Sequence, residues 1–169
     1  MLKRIFVVSL CALVFLCSCS EEQLDRQEIK VYEADEVCKK DLVENIDGED
    51  IVSSSIVYLN YDESNLVKKA IYQSISSIQD INNYTYETYS YIKDIYSNID
   101  GVEVDYYDTS QNLVLEIAYD YESIDLNLFK ENLESILDQN SLLAKVKKLP
   151  VEVSEFKKIE LAGYDCKVN

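Results

Sequence analysis

The stretch IVYLNYDESNLVKKAIYQSI, residues 56–75, decides the fold. Two runs in which apolar and polar residues alternate flank the polar segment YDESN. A period of two is typical of a strand with one face in the core, and a polar turn between two such runs is typical of a β-hairpin. We expect Val57 and Leu59 on one face of this hairpin and Ile56 and Tyr58 on the other.

The preceding segment adds a strand to this hairpin. Val37–Asn45 leads to an Asp-Gly pair at 47–48, and Asp-Gly is favoured in tight hairpin turns. The first three strands therefore form an antiparallel meander. In the third strand, Val67, Ile71 and Ile75 are expected on a common side.

The period changes after the meander. Over Asp80–Ile99, apolar residues recur at steps of three and four, which favours an amphipathic helix, with Gly101 as its C-terminal glycine. Many tyrosines lie in this segment and lower its helix propensity, so β structure remains an alternative for part of it.

The second half repeats the pattern of hairpin and helix. Val102–Asp108 and Leu113–Tyr121 alternate as a second hairpin, and Ile124–Asn140 has a helical stripe with Ser123 or Asp125 as its cap. A short helix is expected at Phe156–Leu161. The predicted class is α+β, in the order β-β-β-α-β-β-α, with a mainly antiparallel sheet of about five strands. Two helices pack on one face, and the short helix is C-terminal.

The N-terminal segment has the layout of a secretory signal peptide, residues 1–18. Two basic residues precede an apolar run that is too short to span a bilayer. Its end, Leu16-Cys-Ser-Cys19, resembles the lipobox of bacterial lipoproteins, which implies a diacylglycerol on the Cys19 sulfur. A plain signal peptide or an N-terminal anchor is the alternative. We expect residues 19–36 to be a flexible acidic tether and residues 37–169 to be a single domain.

The resemblance implies a location as well. A lipid on Cys19 would make the membrane the first partner of this chain, on the extracytoplasmic side of the cell membrane. A diacylglyceryl group supplies the two acyl chains that stable anchoring requires.

Composition excludes several function classes. The chain has 32 acidic and 16 basic residues and a formal net charge of −16, which disfavours nucleic acid as a partner. There is no histidine, so the most common general base and metal ligand are missing. Zinc is not expected, and the sequence leaves open whether Cys38 and Cys166 form a disulfide.

The sequence contains only weak indications of a metal site or a contact surface. Acidic residues cluster around two turns, at 44–50 and 100–108, but neither cluster has the spacing of a calcium loop. We predict no cofactor, no metal site and no enzymatic activity. Tyr86, Tyr89 and Tyr107 lie off the main apolar stripes and are the best candidates for a contact surface, although tyrosines at such spacings more often fill the edge of a core.

The whole arrangement resembles the YehR-like lipoproteins, small bacterial lipoproteins without an assigned function. The resemblance comprises the lipobox, the hairpin at 56–75, the segment IDGVEVDYYDTSQNLVLEIAYDYESID and the terminal VSEFKKIELAGYDCKV, where Gly163, Tyr164 and Lys167 stand in comparable places. It implies no catalytic residues. The predicted function is a non-catalytic binding domain for an envelope protein or a small ligand, and the alternative is a structural or surface-exposed envelope lipoprotein.

Overall fold

The computed structural model describes residues 27–46, 49–80, 83–133 and 141–169. The expected signal peptide, Cys19 and the turn at 47–48 lie outside these ranges. The described residues contain a six-stranded antiparallel sheet in the order β4-β5-β3-β2-β1-β6. The strands are β1 Glu36–Ile46, β2 Glu49–Tyr61, β3 Val67–Ser77, β4 Val102–Asp108, β5 Asn112–Asp120 and β6 Asp165–Val168.

The helices of the described part cover one face of the sheet, called the helix face below. They are α1 Asn83–Tyr96, α2 Leu126–Leu133, α3 Leu142–Lys145 and α4 Val153–Glu160, and a 3-10 turn at Ile78–Asp80 precedes α1. Val57 and Leu59 of β2 pack in one core cluster with Phe129 of α2 and Phe156 of α4, and all four are fully buried. Burial of these large side chains against the sheet makes this face the main hydrophobic core.

The α+β class and the two predicted hairpins are confirmed, and the described residues contain six strands where about five were expected. The sixth strand, β6, pairs with β1 at the end of the chain. It is only four residues long and three of its residues are exposed, so it has no alternating pattern that a sequence reading could detect. It is stabilised by its pairing with β1 more than by a buried face.

The first hairpin also contains a register shift that the sequence does not reveal. Ile56 and Tyr58 lie opposite Val57 and Leu59, as expected. Val67, however, packs on the helix face, whereas Ile71 packs on the other face, so their expected common side is wrong. The ladder between β2 and β3 is irregular at Asn60 and Tyr61, and such a bulge reverses the alternation of side chains beyond it.

The helix boundaries differ from the sequence expectation at both long helices. α1 ends at Tyr96, so Gly101 is not its terminal glycine but lies directly before β4. Its φ is +78°, and a Cβ atom at this position would lie 2.9 Å from the Asp120 carbonyl oxygen, which explains why glycine stands there. α2 begins after Asp125, whose carboxylate accepts from the N–H groups of the next turn, and residues 134–140 lie outside the described ranges.

No helix among the described residues is both long enough and apolar enough to cross a bilayer.

Candidate functional site: the strap and the second face of the sheet

The second face of the sheet is crossed by an extended segment, residues 27–35, called the strap below. Its Lys30 lies over β4 and β5, and its Asp35 N–H donates to the Leu59 carbonyl of β2 at 3.0 Å. The sequence assigns this segment to a flexible tether. The contacts show that it packs on the sheet, so we call this side the strap face.

A cluster of polar side chains fixes the strap to the sheet. The Gln73 side-chain amide donates to the Lys30 carbonyl at 2.9 Å and to Glu116 Oε2 at 3.0 Å. The Tyr32 hydroxyl donates to Glu116 Oε1 at 2.5 Å, and the Lys30 N–H donates to the Tyr107 hydroxyl at 3.1 Å. Together with Asp105, these residues form the polar cluster: Lys30, Tyr32, Gln73, Asp105, Tyr107 and Glu116.

The register of the sheet explains why these residues meet. Asp105 of β4 pairs with Glu116 of β5, and Glu116 pairs with Gln73 of β3. Cross-strand partners share a face, so the three side chains form a row to which the strap can bond. Glu116 and Gln73 are buried, and Gln73 Oε1 has no hydrogen-bond partner within the part of the chain that the structure describes.

The oppositely charged groups of the polar cluster stabilise each other. The Lys30 ammonium lies 3.3 Å from Asp105, 3.8 Å from Glu116 and 4.6 Å from the centre of the Tyr107 ring. Burial lowers the pKa of Lys30, but Glu116 and Asp105 outweigh it, and the pKa is raised above 10.5. Burial likewise raises the pKa of Asp105, but bonds from Lys93 and Lys30 dominate and lower it below 3.8.

Beside the strap, the strap face contains an open groove of about 390 Å³. Tyr58 is 4 % exposed, and the rings of Tyr58 and Tyr32 meet edge to face at 5.4 Å. The groove thus combines aromatic surface with two lysines, Lys39 and Lys167, and one aspartate, Asp165. Its lining residues are Val31, Tyr32, Val37, Lys39, Tyr58, Asp165, Lys167 and Asn169.

A second cavity, of about 440 Å³, lies at the loop between α3 and α4. Lys145, Lys147 and Lys148 meet Glu152 and Glu155 along its walls, so cationic and anionic side chains face the same space. Its mixed charge defines no ligand class.

The structure separates the three tyrosines that the sequence suggests as a contact surface. Tyr86 is half-buried on α1 and donates to Asp108 at 3.0 Å, and Tyr89 stacks edge to face on Tyr106 with ring centres 6.3 Å apart. Tyr107 is buried on the strap face within the polar cluster. Because neighbouring strand residues point to opposite faces, the three do not form a common surface.

The two cysteines of the described ranges form a disulfide. Cys38 of β1 and Cys166 of β6 are direct cross-strand partners and are bonded to each other, which closes a sequence separation of 128 residues. Glu36 lies close to both sulfurs, but its carboxylate pairs with Lys157 at 2.7 Å. Oxidised sulfurs are not metal ligands, so this cluster is structural.

Two residues of the acidic cluster at 100–108 are engaged with other groups. Asp105 binds two lysines, Lys30 and Lys93, and Asp108 accepts from Tyr86. The side chains of the other acidic cluster, at 44–50, lie outside the described residues. Neither observation provides a metal site.

Sequence reasoning missed the polar cluster and the groove. Gln73 and Glu116 occupy positions in alternating strands where a polar residue is normally solvent-exposed. The single available signal was the apolar character of Val31, Tyr32 and Ala34 within a charged segment, since such residues gain little from a position in a free tether.

No protein-family model, curated protein or solved structure matches the chain. The resemblance to the YehR-like lipoproteins therefore stays a prediction.

Proposed function

We propose that this chain is a lipid-anchored, extracytoplasmic lipoprotein whose folded part is a non-catalytic binding domain. The Cys38–Cys166 disulfide carries the proposal, because disulfides persist in oxidising compartments and are rare in the cytosol. It agrees with the lipobox-like segment that ends at Cys19, which was recognised from other residues. The two features support the same side of the membrane independently.

The groove beside the strap supports the binding role. It has the size of a small-ligand site, and aromatic and cationic groups converge on it. The Tyr32 side of the groove is held in place by the bond to Glu116, so the wall is preorganised. Because the two lysines of the lining outnumber its one aspartate, we infer that the ligand, or a side chain of a partner protein, carries negative charge next to an apolar part.

The buried carboxylates support a role without catalysis. Glu36 is paired with Lys157, and Glu116 accepts from Tyr32 and Gln73. A general acid or base needs an open approach to the substrate. Both groups are instead used to hold one segment of the chain against another.

A structural envelope lipoprotein without a small-molecule ligand is the second candidate. It is favoured by the position of the strap, which occupies the middle of the face where a larger ligand would otherwise bind. Under this alternative the groove is only a by-product of strap packing.

The anchor is tested by Cys19→Ala in the full chain, with Cys17→Ala as the matched control. We expect the wild type and the Cys17 variant in the membrane fraction, labelled by a fatty acid, and the Cys19 variant in the soluble fraction without label. A wild type without fatty-acid label, or a label that persists in the Cys19 variant, would refute the lipid anchor.

The groove is tested by a photo-crosslinking amino acid at Val31, which is 83 % exposed on the groove wall. Leu128, 44 % exposed on α2, is the control position. We expect an adduct of defined mass at position 31 that is absent at 128 and disappears in Lys39→Glu with Lys167→Glu. Identical products at both positions would favour the structural alternative.

A further inference from the structure

β1 is longer than the strand that covers its outer edge. β1 has eleven residues, and only the first four, Glu36 to Lys39, pair with β6. From Asp41 to Ile46, β1 pairs with β2 alone. Within the described ranges, these residues have no backbone partner on the outer side. Residues 43–46 with 49–52 project from the sheet as a two-stranded ribbon, whereas Ser53 and Ser54 of β2 also pair with β3.

The direction of the free backbone groups follows from the last residue of the chain. The Asn169 N–H donates to the Asp35 carbonyl, so this carbonyl points toward β6 and the Glu36 N–H of the same peptide unit points toward β2. Backbone direction alternates along a strand, and the β1–β2 register has no irregularity. The N–H and C=O groups of Asp41, Val43 and Asn45 therefore point outward.

The ribbon also exposes apolar surface. Val43 is 63 % exposed, Val52 is 52 % exposed, and the two are direct cross-strand partners. Paired exposed valines next to open backbone groups are typical of an edge that accepts another strand. Proteins normally protect such an edge with lysine or proline, and residues 41–46 contain neither.

The charge of the ribbon selects the partner. Between residues 41 and 52 there are five acidic residues and no basic residue. In an antiparallel pairing of two copies, acidic positions of β1 would face a second acidic strand, which is unfavourable. A basic strand would instead place positive charge beside positions 41 and 44 and pack an apolar residue on Val43.

We propose that the free edge of β1, residues 41–46, binds an extended basic segment of a partner protein as an added antiparallel strand. Main-chain bonds from Asp41, Val43 and Asn45 hold the segment, and apolar contact with Val43 and the acidic charge select it. This binding surface is separate from the strap groove and does not depend on the lipid anchor.

The test uses the full-length chain, purified in detergent, and the blocked peptide Thr-Lys-Val-Val-Lys. Paired antiparallel, the peptide places its lysines opposite positions 44 and 41 and a valine opposite Val43. We expect it to slow amide hydrogen exchange at positions 41, 43 and 45 at least tenfold, as measured by NMR, and to leave positions 42 and 44 unchanged. The counterpart Thr-Glu-Val-Val-Glu should bind at least tenfold more weakly.

Three variants separate strand addition from general charge attraction. Val43→Pro removes an outward N–H that the β1–β2 ladder does not use, and proline is tolerated at such positions, so it should weaken binding at least tenfold in a folded protein. Asp41→Lys should weaken binding of the basic peptide and strengthen binding of the acidic peptide. This result can be measured even if the proline variant misfolds. Glu87→Lys makes the same charge change on exposed α1 and should have little effect.

Unchanged exchange at positions 41, 43 and 45 in the wild type would overturn the proposal. Equal loss of binding in Glu87→Lys and Asp41→Lys would also overturn it, because the attraction would then not be local. A dimer detected by sedimentation that Val43→Pro dissociates would assign the edge to a second copy instead.

Discussion

The two faces of the sheet are covered in physically different ways. On the helix face, Phe129 and Phe156 are fully buried among apolar and aromatic side chains. On the strap face, one extended segment is held by Lys30 and Tyr32 through bonds to a row of polar groups. The first arrangement depends on buried area, whereas the second depends on matched donors, acceptors and charges. The comparison indicates that one face maintains the fold and the other holds a segment at a defined place.

High pH should destabilise the protein more than any single substitution, mainly through three tyrosines of the helix face. Burial raises the pKa of Tyr72, Tyr119 and Tyr121 above the ordinary value of 10, so the folded state keeps them neutral. Their stabilising contribution is present below pH 10 and is lost as pH rises above it, because the unfolded chain releases these protons first. Each group then lowers the free energy of unfolding by about 1.4 kcal/mol per pH unit.

The measurement is urea unfolding at pH 8 and at pH 11, followed by tyrosinate absorbance. We expect unfolding and tyrosinate formation to coincide. A free energy of unfolding that is equal at both pH values would contradict the role assigned to these tyrosines.

Phe156→Ala should have the largest effect among single substitutions. Phe156 is fully buried, and its ring centre lies 6.0 Å from that of Tyr121 and 6.5 Å from that of Tyr72. Truncation leaves a cavity and should lower the free energy of unfolding by about 3 to 5 kcal/mol. Leu128→Ala, at a 44 % exposed position on α2, is the control and should change it by less than about 0.5 kcal/mol. A comparable loss in both variants would show that the helix face is not the core.

Glu116→Ala tests the strap face and should have a smaller effect. The substitution removes the acceptor for Tyr32 and Gln73, and leaving buried donors unpaired costs about 1 to 3 kcal/mol. We expect the substitution to accelerate amide exchange more in the strap than in α4. Glu103→Ala, at an exposed position of β4, is the control. Uniform acceleration throughout the sheet would mean that the strap is not a separate unit.

Lys30→Met should have the smallest effect. Lys30 and Asp105 are 41 % and 48 % exposed, and an ion pair with this exposure contributes about 0 to 1 kcal/mol. The difference in the free energy of unfolding between wild type and variant, measured by urea unfolding, should decrease at high salt, because salt screens exposed ion pairs. An equally large difference at high salt would show that the lysine acts through packing of its aliphatic chain.

The sequence predicts the helix face better than the strap face. Hairpin 56–75 can be predicted from the sequence because its alternation and its polar turn both indicate a hairpin, and both signals are local. The polar cluster cannot be predicted from the sequence, because it depends on the register between β3, β4 and β5 and on a lysine that is distant in the sequence. The reversed side of Val67 depends on a bulge for which no single residue is diagnostic.

Charge composition misled the expectation for residues 27–35. A charged segment without sustained periodicity is typical of a tether, and the strap satisfies that description. It packs nevertheless, because Ala34 and Tyr32 contact Tyr58 and Ile71, and because its backbone bonds to side chains of the sheet. The groove was missed for the same reason, since the strap is one of its walls.

The pairing of β6 with β1 has a consequence for the order in which the protein can assemble. The last residue, Asn169, bonds through its N–H and its side-chain amide to Asp35 and Ala34, at the other end of the described chain. The meander β1–β2–β3 and the hairpin β4–β5 are local and can form early, whereas this closure requires contacts more than 130 residues apart, and such contacts form slowly. A chain that is synthesised from its N-terminus therefore keeps this part of the β1 edge, residues 36–39, open until β6 has been made.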